Sequence, residues 1–336
     1  MASGGYRRKT GRAKAGGKAV EPAQRKPTFR ERAIYSTRTL NPPSGVDYSR
    51  VLSGPGQRPV TSVAGLAAVL LGFFIIYPLV AKLVLTVGYL MRGMPGTSAE
   101  YTRDALAFHY WEGLLAAHIG WAVLIPVTFL LLRYVHRREG IWLSSVQPGM
   151  RWRYLLFAVV IAALVMNGVY WMTSGKDFGY NPESNLGVWL AVIFVTTPFQ
   201  AAAEEYFFRG YLTQVLGSLI KWRWVSVAAS ALLFGAAHGF GQSLPMFTTR
   251  VVFGLVMGAL VVLTGGLEAA IAAHVVNNLS AFTYAALGGG VAAARSFTEA
   301  TWEAGAINIA SYAVVGVICY FIGRALKVAR YTPALD

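Results

Sequence analysis

Charged residues are scarce in this chain, and cysteine is almost absent. Lys, Arg, Asp and Glu make up 13% of the 336 residues, about half of what is usual in soluble domains. Hydrophobic residues make up 55%, and the mean hydropathy is +0.48. The single cysteine, Cys319, excludes an intrachain disulfide and a lipid-anchored cysteine near the start. This composition excludes an ordinary soluble domain and indicates a protein that crosses the membrane several times.

Acidic residues are also few, with 15 against 30 basic residues, and the basic surplus is uneven. Residues 1–60 hold thirteen Lys or Arg and three acidic residues, together with many Gly and Pro. Such a segment cannot bury enough apolar surface to offset its conformational entropy, so we predict a disordered basic cytoplasmic tail over residues 1–60. Beside a membrane domain, its charge favours anionic lipid head groups as partners. No nucleic acid is expected.

Long apolar runs are abundant. A helix needs about 20 apolar residues to cross the hydrocarbon core, and backbone polar groups in lipid must be satisfied within the helix. Eight stretches qualify: 61–90, 110–133, 154–173, 187–216, 222–239, 245–264, 267–288 and 305–325. We therefore predict an all-α, polytopic membrane helix bundle of about eight transmembrane helices, in one domain over residues 61–330. The first run begins near Thr61 and is long enough to span, which does not fit a cleavable signal peptide.

Basic residues cluster in alternate connections between these runs. The connection between the second and third runs, the one between the fourth and fifth, and the segment after the eighth are basic. The first and third connections mix both signs. By the positive-inside rule, we expect both termini on the cytoplasmic side of the plasma membrane.

Two adjacent glutamates interrupt the fourth apolar run. A carboxylate at bilayer depth costs roughly 2.5 to 3.5 kcal/mol or more unless something compensates for it. Glu205 and Arg209 have the i, i+4 spacing of facing side chains, which allows a buried ion pair. Glu204 then points about 100 degrees away around the helix and is free to act on another group. A second carboxylate without a partner favours a functional site over a pair that only fixes helix packing.

Two later runs each carry a histidine at helical spacing from another side chain. His238 follows Phe234 by four residues, and Asn278 follows His274 by four. Either histidine alone would indicate interhelical hydrogen bonding. We expect Glu204 and both histidines near the middle of their spans, where bundle packing can bring them together.

Three spaced motifs thus occur in order on separate runs: Glu204-Glu205-x-x-x-Arg209, Phe234-x-x-x-His238 and His274-x-x-x-Asn278. This trio resembles the CAAX-protease and bacteriocin-processing (CPBP, formerly Abi) family of intramembrane proteases. The resemblance covers roughly residues 185–290. It implies an endopeptidase that hydrolyses a peptide bond in a membrane-embedded or membrane-adjacent substrate, lipidated or not.

The resemblance also implies a role for each residue of the motifs. It divides them between water activation, charge stabilisation and positioning: Glu204 and His238 activate a water, His274 and Asn278 stabilise the oxyanion, and Arg209 positions Glu205. The chemistry suits these residue types, because water needs a base near neutral pH and an amide is a fixed donor for developing negative charge.

The spacing leaves the involvement of a metal open. Glu204, His238 and His274 would form a zinc set with an open fourth position. The alternative is a metal-free mechanism that depends on glutamate. The donors lie on three separate runs, and no H-E-x-x-H signature occurs. No obligatory metal is expected, with Zn²⁺ or another divalent ion as the alternative.

Two further functions fit the same carboxylates. A proton-coupled transporter would use them as a relay and would show solute flux without peptide cleavage. A non-catalytic membrane scaffold or immunity factor would keep its function in Glu204→Ala and His238→Ala variants. No pair of broken helices repeats in two halves of the sequence, which weakens the transporter hypothesis.

Overall fold

The computed structural model describes Glu31 and residues 39–239, 241–296 and 299–334. The predicted all-α fold is confirmed, and within these ranges the backbone forms helices without any β-strand. We label the helices in chain order: α1 Pro59–Met91, α2 Ser98–Leu106, α3 Trp111–Tyr134, α4 Trp152–Thr173, α5 Leu186–Leu219, α6 Arg223–Ala237, α7 Leu244–Thr264, α8 Glu268–Leu287, α9 Val291–Ser296 and α10 Trp302–Ala325.

All eight predicted apolar runs are helical, but not all of them are equally suited to span a membrane. In the described part of the chain, six helices are long and apolar enough: α1, α3, α4, α5, α7 and α10. Helix α6 has only 15 residues. Helix α8 has 20 residues but is less apolar, because it contains His274 and two asparagines. The prediction of about eight spans is therefore approximate.

Helix α5 lies at the centre of the bundle. It packs against α3 on one side and α8 on the other, while α6 and α7 form a close antiparallel pair. Helices α4 and α7 both pack against α10. Within α5, Tyr206–Leu212 forms a π-helical turn directly after the two glutamates, a local geometry found frequently at functional sites.

The turn between α7 and α8 fixes where α8 begins. Gly265 has φ +74, and a Cβ atom at this position would lie 2.5 Å from the Ala329 carbonyl oxygen, so only glycine fits. Directly after this turn, the fully buried Glu268 accepts hydrogen bonds from the backbone and guanidinium of Arg151. The helix that carries His274 is thus anchored at its first residue.

Residues 39–60, the last part of the predicted disordered tail, are packed against the helices. Tyr48, Val51 and Leu52 are at most 2% exposed, and Arg50 donates to the carbonyl oxygens of Gly217 and Ile220 at the end of α5. The prediction of disorder was wrong for residues 39–60, because these apolar side chains bury themselves and Arg50 satisfies the last carbonyls of a helix. The remainder of the predicted tail, residues 1–30 and 32–38, lies outside the described residues.

Candidate active site

The predicted contact between Glu205 and Arg209 is present inside the bundle. Arg209 Nη1 lies 3.0 Å from Glu205 Oε1, with both side chains at most 1% exposed. The i, i+4 contact forms even though Arg209 lies in the π-helical turn. The guanidinium carbon is also 3.9 Å from the centroid of the Phe234 ring, a cation–π contact that stabilises a desolvated cation. The charge of Glu205 is therefore held in a fixed place.

His274 lies between the two glutamates. Its Nδ1 atom is 2.7 Å from Glu205 Oε1, and its Nε2 atom is 3.7 Å from Glu204 Oε2. The ring packs edge-on against Phe234 and Phe253, with centroids 5.9 and 5.2 Å away. Because a carboxylate oxygen accepts, Nδ1 donates to Glu205, and Nε2 faces Glu204. When the ring is neutral, Nε2 is its acceptor.

Glu204 is buried and has a partner that the sequence analysis missed. Its Oε1 atom accepts a hydrogen bond from the amide nitrogen of Gln200, so the prediction that Glu204 is free was wrong. Gln200 precedes Glu204 by four residues, and this spacing alone indicated the contact. The Gln200 oxygen accepts in turn from Asn278 Nδ2 at 3.0 Å. Gln200 therefore connects Glu204 on α5 to Asn278 on α8.

The amide network continues from Asn278 to a third helix. Asn278 Oδ1 accepts from Asn277 Nδ2 at 3.0 Å, and Asn277 Oδ1 accepts from the Tyr312 hydroxyl of α10 at 3.2 Å. Of the two neighbouring asparagines, the structure brings Asn278 towards the glutamates and turns Asn277 towards α10.

His238 lies at the end of its helix rather than in the middle. It is the C-cap of α6 and is exposed, so its predicted position near mid-span was wrong. The helix ends here because Gly239 adopts φ +101. His238 Nδ1 is 2.8 Å from the Phe234 carbonyl oxygen, and the two rings pack at 4.8 Å. His238 thus reaches the site through Phe234, whose ring also contacts His274 and Arg209.

The residues do not assemble into the tentative metal set of Glu204, His238 and His274. Glu204 Oε2 and His274 Nε2 lie 3.7 Å apart, which supplies two of the three donors of that set. Across the described ranges, no group of three or more His, Cys, Asp or Glu side chains has an arrangement that could hold a metal ion. We therefore derive no chemical step through a metal.

The structure brings a buried carboxylate, an imidazole and a carboxamide together from separate helices, and groups of these kinds can serve general-base catalysis and oxyanion stabilisation. Residues 185–280 match the family model of the type II CAAX prenyl endopeptidase Rce1-like family. This match confirms the resemblance to CAAX-type intramembrane proteases that the motifs indicate, over the segment that carries them. All six predicted site residues lie within it.

A bacterial relative is similar to only part of the chain. The chain is 27% identical over 180 residues to "Uncharacterized protein YyaK" of Bacillus subtilis (strain 168), which covers 49% of this chain and 59% of that protein. The aligned part therefore spans less than two thirds of that relative. No solved structure matches the chain.

Proposed function

We propose that this protein is an intramembrane endopeptidase that hydrolyses a peptide bond in a membrane-embedded or membrane-adjacent segment, lipidated or not. One observation carries the proposal. Glu204 Oε2 and His274 Nε2 come from different helices, both side chains are about 5% exposed, and the two atoms lie 3.7 Å apart. Two acceptors this close can hold one water molecule between them. General-base assistance at such a point typically contributes about 10² to 10⁴-fold in rate.

In the proposed reaction, Glu204 is the general base. Water transfers one proton to Glu204 while its oxygen attacks the peptide carbonyl carbon, which gives a tetrahedral intermediate with a negatively charged oxygen. The intermediate collapses, the C–N bond breaks, and the proton held by Glu204 passes to the departing nitrogen. The products are a carboxylic acid and an amine, and no further reactant is needed.

The proposed roles of the imidazoles follow from their hydrogen bonds. Glu205 holds Nδ1 of His274, which favours Nε2 as a second acceptor for the water over the oxyanion role that the family resemblance implies. His238 donates from Nδ1 to a carbonyl, which leaves its Nε2 atom to accept and pass on protons at the exposed edge of the site.

Asn278 is the proposed donor to the oxyanion. A donor of this kind is worth roughly 3 kcal/mol where water is excluded. Its amide nitrogen donates to Gln200 in this structure, so a bound substrate has to replace that hydrogen bond with one to the developing oxyanion. Gln200 keeps its own donor on Glu204 in either case.

We also propose that the site lies nearer the basic end of the bundle, which the positive-inside rule places in the cytoplasm. His274 is six residues past Glu268, about 9 Å along α8, and Glu268 is paired with Arg151 at that end. Both termini would lie on this side of the plasma membrane, where the basic tail attracts anionic lipid head groups. The substrate would be cut close to this interface.

The test compares the peptide termini of membrane proteins in wild-type cells and in cells that carry Glu204→Gln. We expect one or more new termini in wild type that are missing in the variant at equal protein level. Exposed Glu303→Gln is the matched control and should leave the termini as in wild type. Identical termini in all three strains, with expression confirmed, would contradict the proposal, and solute flux lost in Glu204→Gln would support a transporter instead.

A further inference from the structure

Arg250 is a charged residue in a helix that otherwise suits hydrocarbon. It is the single charged side chain of α7, which has 21 residues and contains an 18-residue window with a mean hydropathy of 2.0. Arginines at membrane depth are expensive and rare, and they mark functional positions more often than structural ones. The sequence analysis passed over it, although a lone cation in an apolar run is a clear indication.

Arg250 is connected to both histidines of the site through its neighbours. One helical turn along the same face of α7, Phe253 packs against His274 at 5.2 Å. On the other side, Arg250 Nη1 donates to Gln242 Oε1 at 2.6 Å. Gln242 in turn donates to the carbonyl oxygens of Gly235 and Gly239, which flank His238.

The guanidinium is not neutralised by a neighbouring acid. Among the described residues, Arg250 forms no ion pair, and its hydrogen bond to a neutral amide engages one of five donors. Its charge interacts with that of Glu204, but also with the like charge of Arg295. The side chain is half-buried. A cation with spare donors and no ion pair among the described residues is arranged to receive an anion.

A purely structural role explains these contacts less well. Anchoring Gln242 requires one donor without charge, which a shorter amide or hydroxyl side chain would supply at a lower desolvation cost. The planar fork of arginine matches a carboxylate with two parallel hydrogen bonds. The position of Arg250, its charge and its free donors therefore favour the binding of a carboxylate that belongs to the substrate.

We propose that Arg250 binds a carboxylate of the substrate next to the scissile bond and thereby selects peptides that carry one there. This inference rests on the proposed peptidase function. A free carboxyl terminus and an Asp or Glu side chain present the same chemical group, and the substrates of the test distinguish them.

The test uses the full-length protein in liposomes and three pools of short apolar peptides with matched random sequences. One pool ends in a free carboxylate, one ends in an amide, and one ends in an amide but contains an internal glutamate. Mass spectrometry gives kcat and KM for the cleaved members. We expect wild type to cleave the free-acid pool or the glutamate pool about tenfold or more faster than the plain amide pool in kcat/KM, mainly through KM.

Substitutions at Arg250 should remove this preference. Arg250→Gln should cleave all pools at the slow rate of the plain amide pool, and Arg250→Lys should keep part of the preference because it keeps the charge. Lys82→Gln, which removes an exposed cation from α1, is the matched control and should keep the full preference. If Arg250→Gln does not fold, the inference is still tested by the preference of Arg250→Lys and by the comparison of the three pools with the wild-type protein.

Two results would overturn the inference, and they differ in what they say about the enzyme. Equal cleavage of all pools by wild type, or an unchanged preference in Arg250→Gln, refutes carboxylate binding and leaves the peptidase standing. Absence of any cleavage that depends on Glu204 refutes the peptidase, and with it this inference.

Discussion

Glu204 is held in place by a side chain that carries no charge. Gln200 donates to Glu204 and accepts from Asn278, so a single residue aligns the proposed base with the proposed oxyanion donor. A hydrogen bond to an ionised carboxylate contributes about 1.5 to 3 kcal/mol. Gln200 is therefore a positioning residue, since it acts through Glu204 and Asn278.

Replacing Gln200 by Met should lower kcat about tenfold or more with little change in KM. The substitution keeps the length of the side chain but removes both hydrogen bonds, so the base loses its orientation while the substrate still binds. Steady-state kinetics of the purified protein measure this. Gln200→Glu should not restore activity, because it places a third carboxylate beside two others. The predicted result is thus an equal loss in kcat and in kcat/KM. An effect confined to KM would contradict the positioning role of Gln200.

His136, just after α3, is a buried imidazole outside the proposed site. Its Nε2 atom is 2.8 Å from the Tyr211 hydroxyl. Burial, and secondly the charge of Arg138, lowers its pKa from 6.5 to about 4. The unfolded chain thus binds a proton at a higher pH than the folded protein does, so protonation favours unfolding.

Stability should therefore fall as the pH drops from about 6.5 to about 4, by at most about 3 kcal/mol for this residue. Above pH 6.5 both states are neutral at His136 and the residue adds no pH dependence. Thermal denaturation in detergent at a series of pH values measures this. His136→Gln should flatten the curve in that window, and a curve of the same slope in wild type and variant would show that His136 is not responsible.

At the residue scale, helical spacing predicted the contact between Glu205 and Arg209, but it did not predict the hydrogen bonds made by His274 and Gln200. The Glu205–Arg209 contact follows from helical periodicity. The approach of His274 to both glutamates and the link through Gln200 depend on how α5 and α8 are rotated against each other, and one sequence does not contain that rotation. The exposure of His238 depends on where α6 ends, which is set by the left-handed conformation of Gly239.

The close packing of α6 against α7 brings the Phe234–His238 end of the site into place. Gly254 and Gly258 lie on the contact face: a Cβ atom at Gly254 would be 2.9 Å from the Cα atom of Ala231, and one at Gly258 would be 2.8 Å from a Val227 methyl group. The Gly-x-x-x-Gly pattern on α7 thus allows two helices within the bundle to approach closely.

Gly254→Val should destabilise the protein by about 1 to 3 kcal/mol, because it pushes backbone away from backbone. It should also lower kcat, since Phe234 and His238 lie on the helix that must move. Thermal denaturation and peptide cleavage measure the two effects. Gly168→Ala is the control, because no heavy atom lies within 4 Å of its added Cβ, and it should change stability by no more than about 0.5 kcal/mol. Normal stability in Gly254→Val would contradict the tight contact.

The sequence predicted a helix at every apolar run, but the number of membrane spans is approximate where polar residues interrupt a run. The runs that became α1, α3, α4, α5, α7 and α10 are long and uninterrupted. Helices α6 and α8 carry the histidines and asparagines of the site, and the same polar residues make them poor spans by length or apolarity. The π-helical turn in α5 has no counterpart in the hydrophobic pattern.

At the scale of the whole molecule, residues 45–47 meet residues 331–332 at the basic end of the bundle. The backbone of Val46 and Gly45 pairs with that of Thr332, and Asp47 forms a bridge with Tyr331. This contact was not foreseen, because the basic composition of the first 60 residues masked the apolar side chains of Tyr48, Val51 and Leu52. The segment packs over the end of α5 that follows the site.

The proposed orientation predicts which residues face each side. In intact cells, a cysteine that replaces exposed Lys221 should be protected from a membrane-impermeant maleimide, and one that replaces exposed Glu303 should react. The native Cys319 is buried and should contribute no background. Permeabilised cells should label both positions. The reverse pattern in intact cells would show that the termini lie outside.

Cleavage of the free-acid and amide peptide pools by the purified protein in liposomes, compared with Glu204→Gln, decides whether the convergence of α5 and α8 is a hydrolytic site. We predict that Glu204→Gln lowers kcat by about 10² to 10⁴-fold while its thermal denaturation shows a folded protein. Cleavage at the wild-type rate in Glu204→Gln would contradict the assignment of Glu204 as the base that activates water.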